Sequence, residues 1–350
     1  MAPSNATVLA SIKDEMDSPY NYVPTEWICI LFIVLFGLST AIHVVQSFCS
    51  RLWWLFGTAV LAGIAEVIGW SGRLWSSLNP PLLDPFLMQW VIIISDDVFL
   101  QYEVHRITTT IIAPTPLVAA NFVILGQITR RLGQNYSRLS ATWYTIVFGS
   151  CDIIALVIQA VGGAKASVAV ENGNDPGPGG HIMLAGIAFQ LAAISIYMIL
   201  AAEFLLRYTF DKPVRHNSQA HMRAYKMDRN VKLMIFGLAF SSTVIFIRSV
   251  YRTAVCTKPQ FTPAFANANF KELTDGWSGR IISTQVYFNV LDGAMIVLAM
   301  VSLNLFHPGW LLGTANKWNN NIPMYDMEIS DDAEERTLSD VLPFKKEEIS

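Results

Sequence analysis

Apolar residues in this chain fall into long blocks instead of alternating. Runs at about residues 26–48, 53–75, 107–128, 142–163, 182–206, 231–254 and 281–306 are rich in Leu, Ile, Ala, Phe and Val. Each reaches the roughly 20 residues a helix needs to cross about 30 Å of hydrocarbon. Backbone groups in lipid must be satisfied within the segment, and runs of this length meet that demand as helices; barrel strands would alternate over about ten residues. The pattern predicts an all-α, polytopic membrane protein with seven transmembrane helices. Three regions follow: an N-terminal segment (1–24), a seven-helix membrane domain (25–308) and a tail (309–350). Residues 164–180 (AKASVAVENGNDPGPGG) read as a Gly/Pro-rich loop and 207–230 as a basic loop. Residues 90–106 (WVIIISDDVFLQYEVHR) are too short and too charged to span.

Charge orients the bundle. With the N-terminus outside, the inner loops hold Arg51, then Arg130, Arg131 and Arg138, then Arg207, Lys212, Arg215, Arg223, Lys226, Arg229 and Lys232. The outer segments hold chiefly Lys13, Lys165, Lys258, Lys271 and Arg280. The excess predicts N-terminus outside and C-terminus inside. Asn5-Ala6-Thr7 is then a glycosylation sequon on the outer side. The net charge of −3 conceals an acidic tail (Asp326, Glu328, Asp331, Asp332, Glu334, Glu335), poor in apolar residues and expected to be disordered. Nucleic acid is not an expected partner. The first 24 residues show no basic-then-apolar leader, so the first span is expected to serve as the targeting signal.

Composition agrees, with 53% hydrophobic and 15% charged residues, against about half and a quarter in soluble domains. Four scattered cysteines outline neither a disulfide framework nor a zinc site. His43, His181 and His307 form no HxxxH or HExxH pair, and no metal or cofactor is expected. There is no GxxxxGK[ST] loop for ATP and no GxSxG nucleophile motif, so the chain is read as a non-enzyme. Glu203, near the inner membrane surface, is expected to snorkel or to pair with Arg207 at i+4. Pro114 and Pro116 would kink or break the third helix.

Ionisable residues inside spans cost roughly 2.5–3.5 kcal/mol each on insertion scales and mark candidate sites. Glu66 and Arg73 lie two turns apart on the second span, with Gly69 and Trp70 between them. Arg248 and Arg252 share a face of the sixth, Asp152 and Asp292 sit mid-span in the fourth and seventh, and Gln159 and Gln190 add amides. Three acids face three arginines, the balance a buried network needs. These eight residues predict a polar cavity toward the outer leaflet. The alternative is helix locking, although Gly57, Gly63 and Ala65 could provide that more cheaply.

EVIGWSGR (66–73), IIAPTPLVAANFVILGQI (111–128), DIIALVIQAVGG (152–163), GHIMLAGIAFQ (180–190), IRSVYR (247–252) and the VYFNVLD to HPG run (286–309) occur in order. On these motifs the chain resembles the fungal RTA-like lipid-translocating exporter family, which includes sphingoid long-chain-base transporters and amino-sterol resistance proteins. The resemblance covers about residues 20–313. It implies a plasma-membrane protein that moves or senses sphingoid bases or similar amphipaths and confers tolerance to toxic lipids or drugs, with membrane lipids as partners. Its polar positions correspond here to Glu66, Arg73, Asp152, Gln159, Gln190, Arg248, Arg252 and Asp292. Two positions where the family usually carries an acid hold Val255 and Gln285, which weakens the case for a cationic amine. Without residues 90–106, PFLMQ would run into ITTTIIAP much as in the family, so that segment reads as an insertion or a retained intron. A translocase is the leading expectation; a seven-helix receptor or sensor of lipid signals is the alternative.

Overall fold

The computed structural model describes residues 24–78, 114–172, 174–175, 177–214, 227–256 and 284–313. Asn5, the 90–106 segment, the acidic tail and the side chain of Val255 lie outside the described residues.

Among the described residues the chain is helical, with no strand. Six helices are long and apolar enough to cross a membrane: Glu26–Ser50 (span 1), Trp53–Leu78 (span 2), Ala141–Ala166 (span 4), Gly177–Thr209 (span 5), Arg229–Ala254 (span 6) and Gln285–Leu311 (span 7). A further helix, Pro114–Leu132 (span 3), lies between the second and fourth in sequence. It carries Thr115, Asn121, Gln127, Thr129, Arg130 and Arg131 and is less apolar than the rest. It tolerates this polarity because it sits inside the bundle, with 13 of its 19 residues buried.

Three details differ from expectation. Both prolines of span 3 fall in the first turn of Pro114–Leu132, where a missing N–H breaks no i to i−4 bond, so no kink is required of them. The loop expected over 164–180 is mostly helix, because the fourth helix continues to Glu171 and the fifth begins at Gly177. The Asp175 carboxylate accepts the Gly177 N–H at 2.9 Å and helps start that helix. Span 7 is not a uniform α-helix: Gln285–Phe288 leads into a π-helical stretch, Asn289–Ala294, before Met295–Leu305.

Span 1 shows how a bilayer inverts the usual amphipathic rule. Trp27, Leu31, Val34, Leu38, Ile42 and Val45 recur at helical spacing and are exposed, a face suited to acyl chains. The opposite stripe is buried: Cys29, Phe32 and Phe36, then Ser39, Thr40, His43, Gln46, Ser47 and Ser50. Hydroxyls on that stripe bond back to their own helix, Thr40 to Phe36 O at 2.7 Å and Ser47 to His43 O at 2.6 Å, which satisfies them inside the bundle. Span 1 ends at Arg51 in the left-handed region, φ 57°, where the Arg51 N–H reaches Phe48 O.

The centre of the bundle is aromatic. Phe122 on span 3 meets Tyr197 on span 5 edge to face, ring centroids 4.8 Å apart, and Phe148 on span 4 lies 5.5 Å from Phe122. Spans 4 and 5 approach closely through Gly162, Gly179 and Gly186. A Cβ on Gly162 would run into the Met183 backbone, and one on Gly179 into the Ala166 backbone. Small residues at such a seam let backbones touch, which is how helices associate where no hydrophobic force acts between them.

Candidate functional site

Asp292 organises the site. It lies in the π-helical stretch of span 7, where the extra residue per turn redirects side chains. Gly293 beside it has Trp70 and Phe32 so near that an added Cβ would come within 2.6 Å of the Trp70 ring. Span 7 therefore presses on spans 1 and 2 at this level. The Asp292 Oδ1 receives Arg248 Nε at 2.8 Å and Arg252 Nη1 at 3.5 Å, both from span 6. Arg248 and Asp292 are almost fully buried, whereas the Arg252 side chain keeps 16% exposure.

Glu66 on span 2 is 1% exposed and lies within electrostatic reach of Arg248, Asp292 and Arg252. Two turns on, Arg73 places its guanidinium over the Phe288 ring at 4.2 Å and over Trp70 at 5.7 Å, a cation–π arrangement that favours a desolvated cation. Trp70 in turn stacks on Phe32 at 4.1 Å. Spans 4 and 5 contribute an amide relay, with Gln159 Nε2 donating to Gln190 Oε1 at 3.0 Å and Gln190 Nε2 to Asp152 Oδ1 at 3.3 Å. Gly186 has Gln159 Cγ at 2.7 Å from where its Cβ would stand, so the close seam positions the relay.

The two halves meet at a small crevice lined by Gln159, Ile187, Gln190, Arg248, Ser249 and Arg252. Its free volume is about 10 Å³, room for roughly one water molecule and far below the ~300–1,000 Å³ of pockets that engulf a drug-sized ligand. All eight residues singled out from the sequence are thus buried or partly buried, on spans 2, 4, 5, 6 and 7. Gln285, where the family usually has an acid, receives the Thr25 hydroxyl at 2.9 Å and ties span 7 to span 1.

Sequence reasoning did not anticipate two polar clusters. Asn121 on span 3 bonds Ser241 at 3.1 Å and Ser242 at 3.4 Å on span 6, while the Tyr197 hydroxyl donates to Asn121 O at 3.2 Å. An amide in mid-span and consecutive serines were the available signals. The other cluster joins spans 1 and 7 around His43 and His307, which are 264 positions apart and invisible to a local motif. Near the bundle end Glu203 pairs with Arg207 at 2.7 Å, as expected from their spacing, and also with Arg138 at 2.8 Å. In the adjoining loop the Tyr136 hydroxyl donates a hydrogen bond to the Asp211 carboxylate, which pushes that hydroxyl's titration up to about 12. Among the described residues no group of three or more His, Cys, Asp and Glu gathers as a metal site.

Residues 95–315, well over half of the chain, match the family described as RTA1 like protein. The chain belongs to the RTA1-like family. The match begins inside the 90–106 segment, so this RTA1-like chain carries part of that segment within its family region. It is 29% identical over 341 residues to the sphingoid long-chain base transporter RSB1 of Saccharomyces cerevisiae, covering 88% of this chain and 80% of that one. It is 24% identical to protein RTA1 of the same yeast, over 82% of this chain and 84% of the relative. To the yeast protoporphyrin uptake protein 1 it is 21% identical, over 82% and 90%. No solved structure matches it.

Proposed function

We propose that this RTA1-like protein translocates amphipathic lipids such as sphingoid long-chain bases across the plasma membrane, without an ATPase of its own. The observation that carries this reading is the crevice where two arginines and two glutamines of spans 4, 5 and 6 converge inside an otherwise apolar bundle. Buried charge is expensive in a membrane, and six ionisable residues joined across four spans exceed what helix association requires. The crevice has room for about one water, so the bundle must open for a headgroup to pass. A cationic amine would then move along the carboxylates Glu66, Asp152 and Asp292, while the acyl chain stays in the bilayer along the exposed apolar faces. Glu66, Arg73, Asp152, Gln159, Gln190, Arg248, Arg252 and Asp292 are the proposed path. Relatives named as a sphingoid base transporter and a protoporphyrin uptake protein support movement of an amphipath and oppose a catalytic role.

The test is transbilayer movement of a fluorescent sphingoid base in liposomes containing the purified protein, wild type against Glu66→Gln. Protein-dependent flux that falls about tenfold or more in the variant, a barrier change of about 1.4 kcal/mol, is the expected outcome. If the wild type moves no more lipid than empty liposomes with several lipids tried, translocation is wrong and a lipid sensor becomes the better reading.

A further inference from the structure

Spans 1 and 7 share a second buried polar seam, away from the arginine crevice, which the proposed lipid path does not use. His43 and His307 are both 0% exposed, and Gln46 and Asn304 are 5% and 7% exposed. Four bonds stitch the seam: His43 Nε2 to Met300 O at 3.2 Å, Gln46 Nε2 to Asn304 O at 2.9 Å, and Asn304 Nδ2 to Ser39 Oγ at 2.6 Å and Ser39 O at 3.3 Å.

These bonds fix the state of each ring. A carbonyl oxygen only accepts, so His43 Nε2 carries the hydrogen, and in the neutral ring Nδ1 is left as a bare acceptor. His307 is the reverse. It caps the short helix Pro308–Leu311 by accepting the Gly309 N–H on Nδ1 at 3.1 Å, so its hydrogen must sit on Nε2. That cap is held firmly, because Gly309 packs against Ser50 so closely that a Cβ there would collide with it. Among the described residues His43 Nδ1, Gln46 Oε1, Asn304 Oδ1 and His307 Nε2 have no hydrogen-bond partner. Three are acceptors and one is a donor, all buried, where an unmade bond is costly. The two rings lie within electrostatic reach of each other.

We propose that this seam is a proton-binding site, with His43 Nδ1 as the atom that takes the proton, and that proton binding there drives the lipid movement proposed above. In the neutral state His43 Nδ1 has no donor among the described residues, and the acceptors Gln46 Oε1 and Asn304 Oδ1 have none either. Adding a proton converts His43 Nδ1 into a donor, which then matches the unpaired acceptors Gln46 Oε1 and Asn304 Oδ1. The proton therefore favours a tie from span 1 to Asn304 of span 7 that the neutral ring does not make, so the two protonation states prefer different seams, as a coupling site must. His307 cannot play the titrating part without giving up its cap. Few other charges intrude. Span 2 faces the seam with Gly63, against Thr40 and Met300, and its one carboxylate, Glu66, lies a turn beyond. Met295–Leu305 and Pro308–Leu311 carry no charged side chain, and Arg51 at the end of span 1 and Lys232 at the start of span 6 are exposed.

Proton binding is tested independently of transport. His43 is the one histidine in the chain that follows an isoleucine, so labelling Ile carbonyl carbon and His nitrogens assigns its ring signals without a variant. In nanodiscs the expected result is a single protonated ring nitrogen at high pH and two at low pH, within roughly pH 4.5–8.5, the range over which histidines titrate. A His43 Nδ1 that stays unprotonated throughout overturns the proposal. Coupling rests on the translocation reading and is measured in liposomes with an imposed pH gradient. One unit of gradient should shift the accumulation ratio of the lipid about tenfold for one proton per lipid, and His43→Gln should remove that dependence. A titrating His43 with gradient-independent flux overturns the coupling. Absence of flux from every protein would instead overturn the translocation reading, leaving the nitrogen signals to decide the proton site.

Discussion

Asp292 is a single carboxylate shared by two guanidiniums, and that asymmetry sets what each substitution should do. Its Oδ1 lies 2.8 Å from Arg248 Nε in surroundings where both side chains are under a tenth exposed. Removing the negative charge leaves a cation in a medium that cannot solvate it, whereas removing one cation still leaves the carboxylate a partner. Asp292→Asn should therefore lower stability by about 3 kcal/mol or more. Arg252→Gln should cost no more than about 1 kcal/mol, since Arg252 is farther away at 3.5 Å and reaches solvent. Thermal unfolding of the detergent-solubilised variants gives both values, and equal losses would show that the shared carboxylate is not the keystone of the site. The need for these eight residues was legible in the sequence, because charge inside a 20-residue apolar run demands a partner. Which partner was not: Asp292 is 44 positions from Arg248, and the π-helical stretch that aims it at span 6 has no marker in NVLDGA.

At the level of elements, apolar block length identified the helices, since hydrocarbon thickness acts on every span alike. Boundaries were less legible where polar residues continue a helix beyond the apolar block, as at Ala164–Glu171, or where turn-forming residues start one, as at Gly177 and Pro178. The close seam of spans 4 and 5 was visible only as glycines, and glycine alone does not say what it touches. Gly162 and Gly179 touch opposing backbone, which cannot rotate away, whereas Gly149 has nothing within 4 Å of its Cβ position. Gly179→Ala should force the helices apart at a cost of about 1–3 kcal/mol and stretch the Gln159 to Gln190 bond, lowering both thermal stability and lipid flux. Gly149→Ala should leave both unchanged. If the two variants behaved alike, the glycine seam would not be what holds the amide relay in register.

The whole molecule is polarised along the membrane normal. Glu66, Arg73, Gln159, Gln190, Arg248 and Arg252 gather toward one end, while the His43 and His307 seam and the basic residues Arg51, Arg130, Arg138 and Arg207 lie toward the other. We infer from the excess of Lys and Arg in alternate loops that this second end faces the cytoplasm, in which case the crevice would open outward and the proton seam would face in. Cys49 reports on this directly, because it is exposed at the end of span 1 beside Arg51, while Cys29 is buried. A variant with Cys29, Cys151 and Cys256 changed to Ser keeps that one thiol. In intact cells it should resist a membrane-impermeant maleimide and react once the membrane is permeabilised. Labelling of intact cells would place the N-terminus inside. The crevice would then open to the cytoplasm, and the same polar path would serve uptake in place of export, with the proton seam exposed to the outer medium.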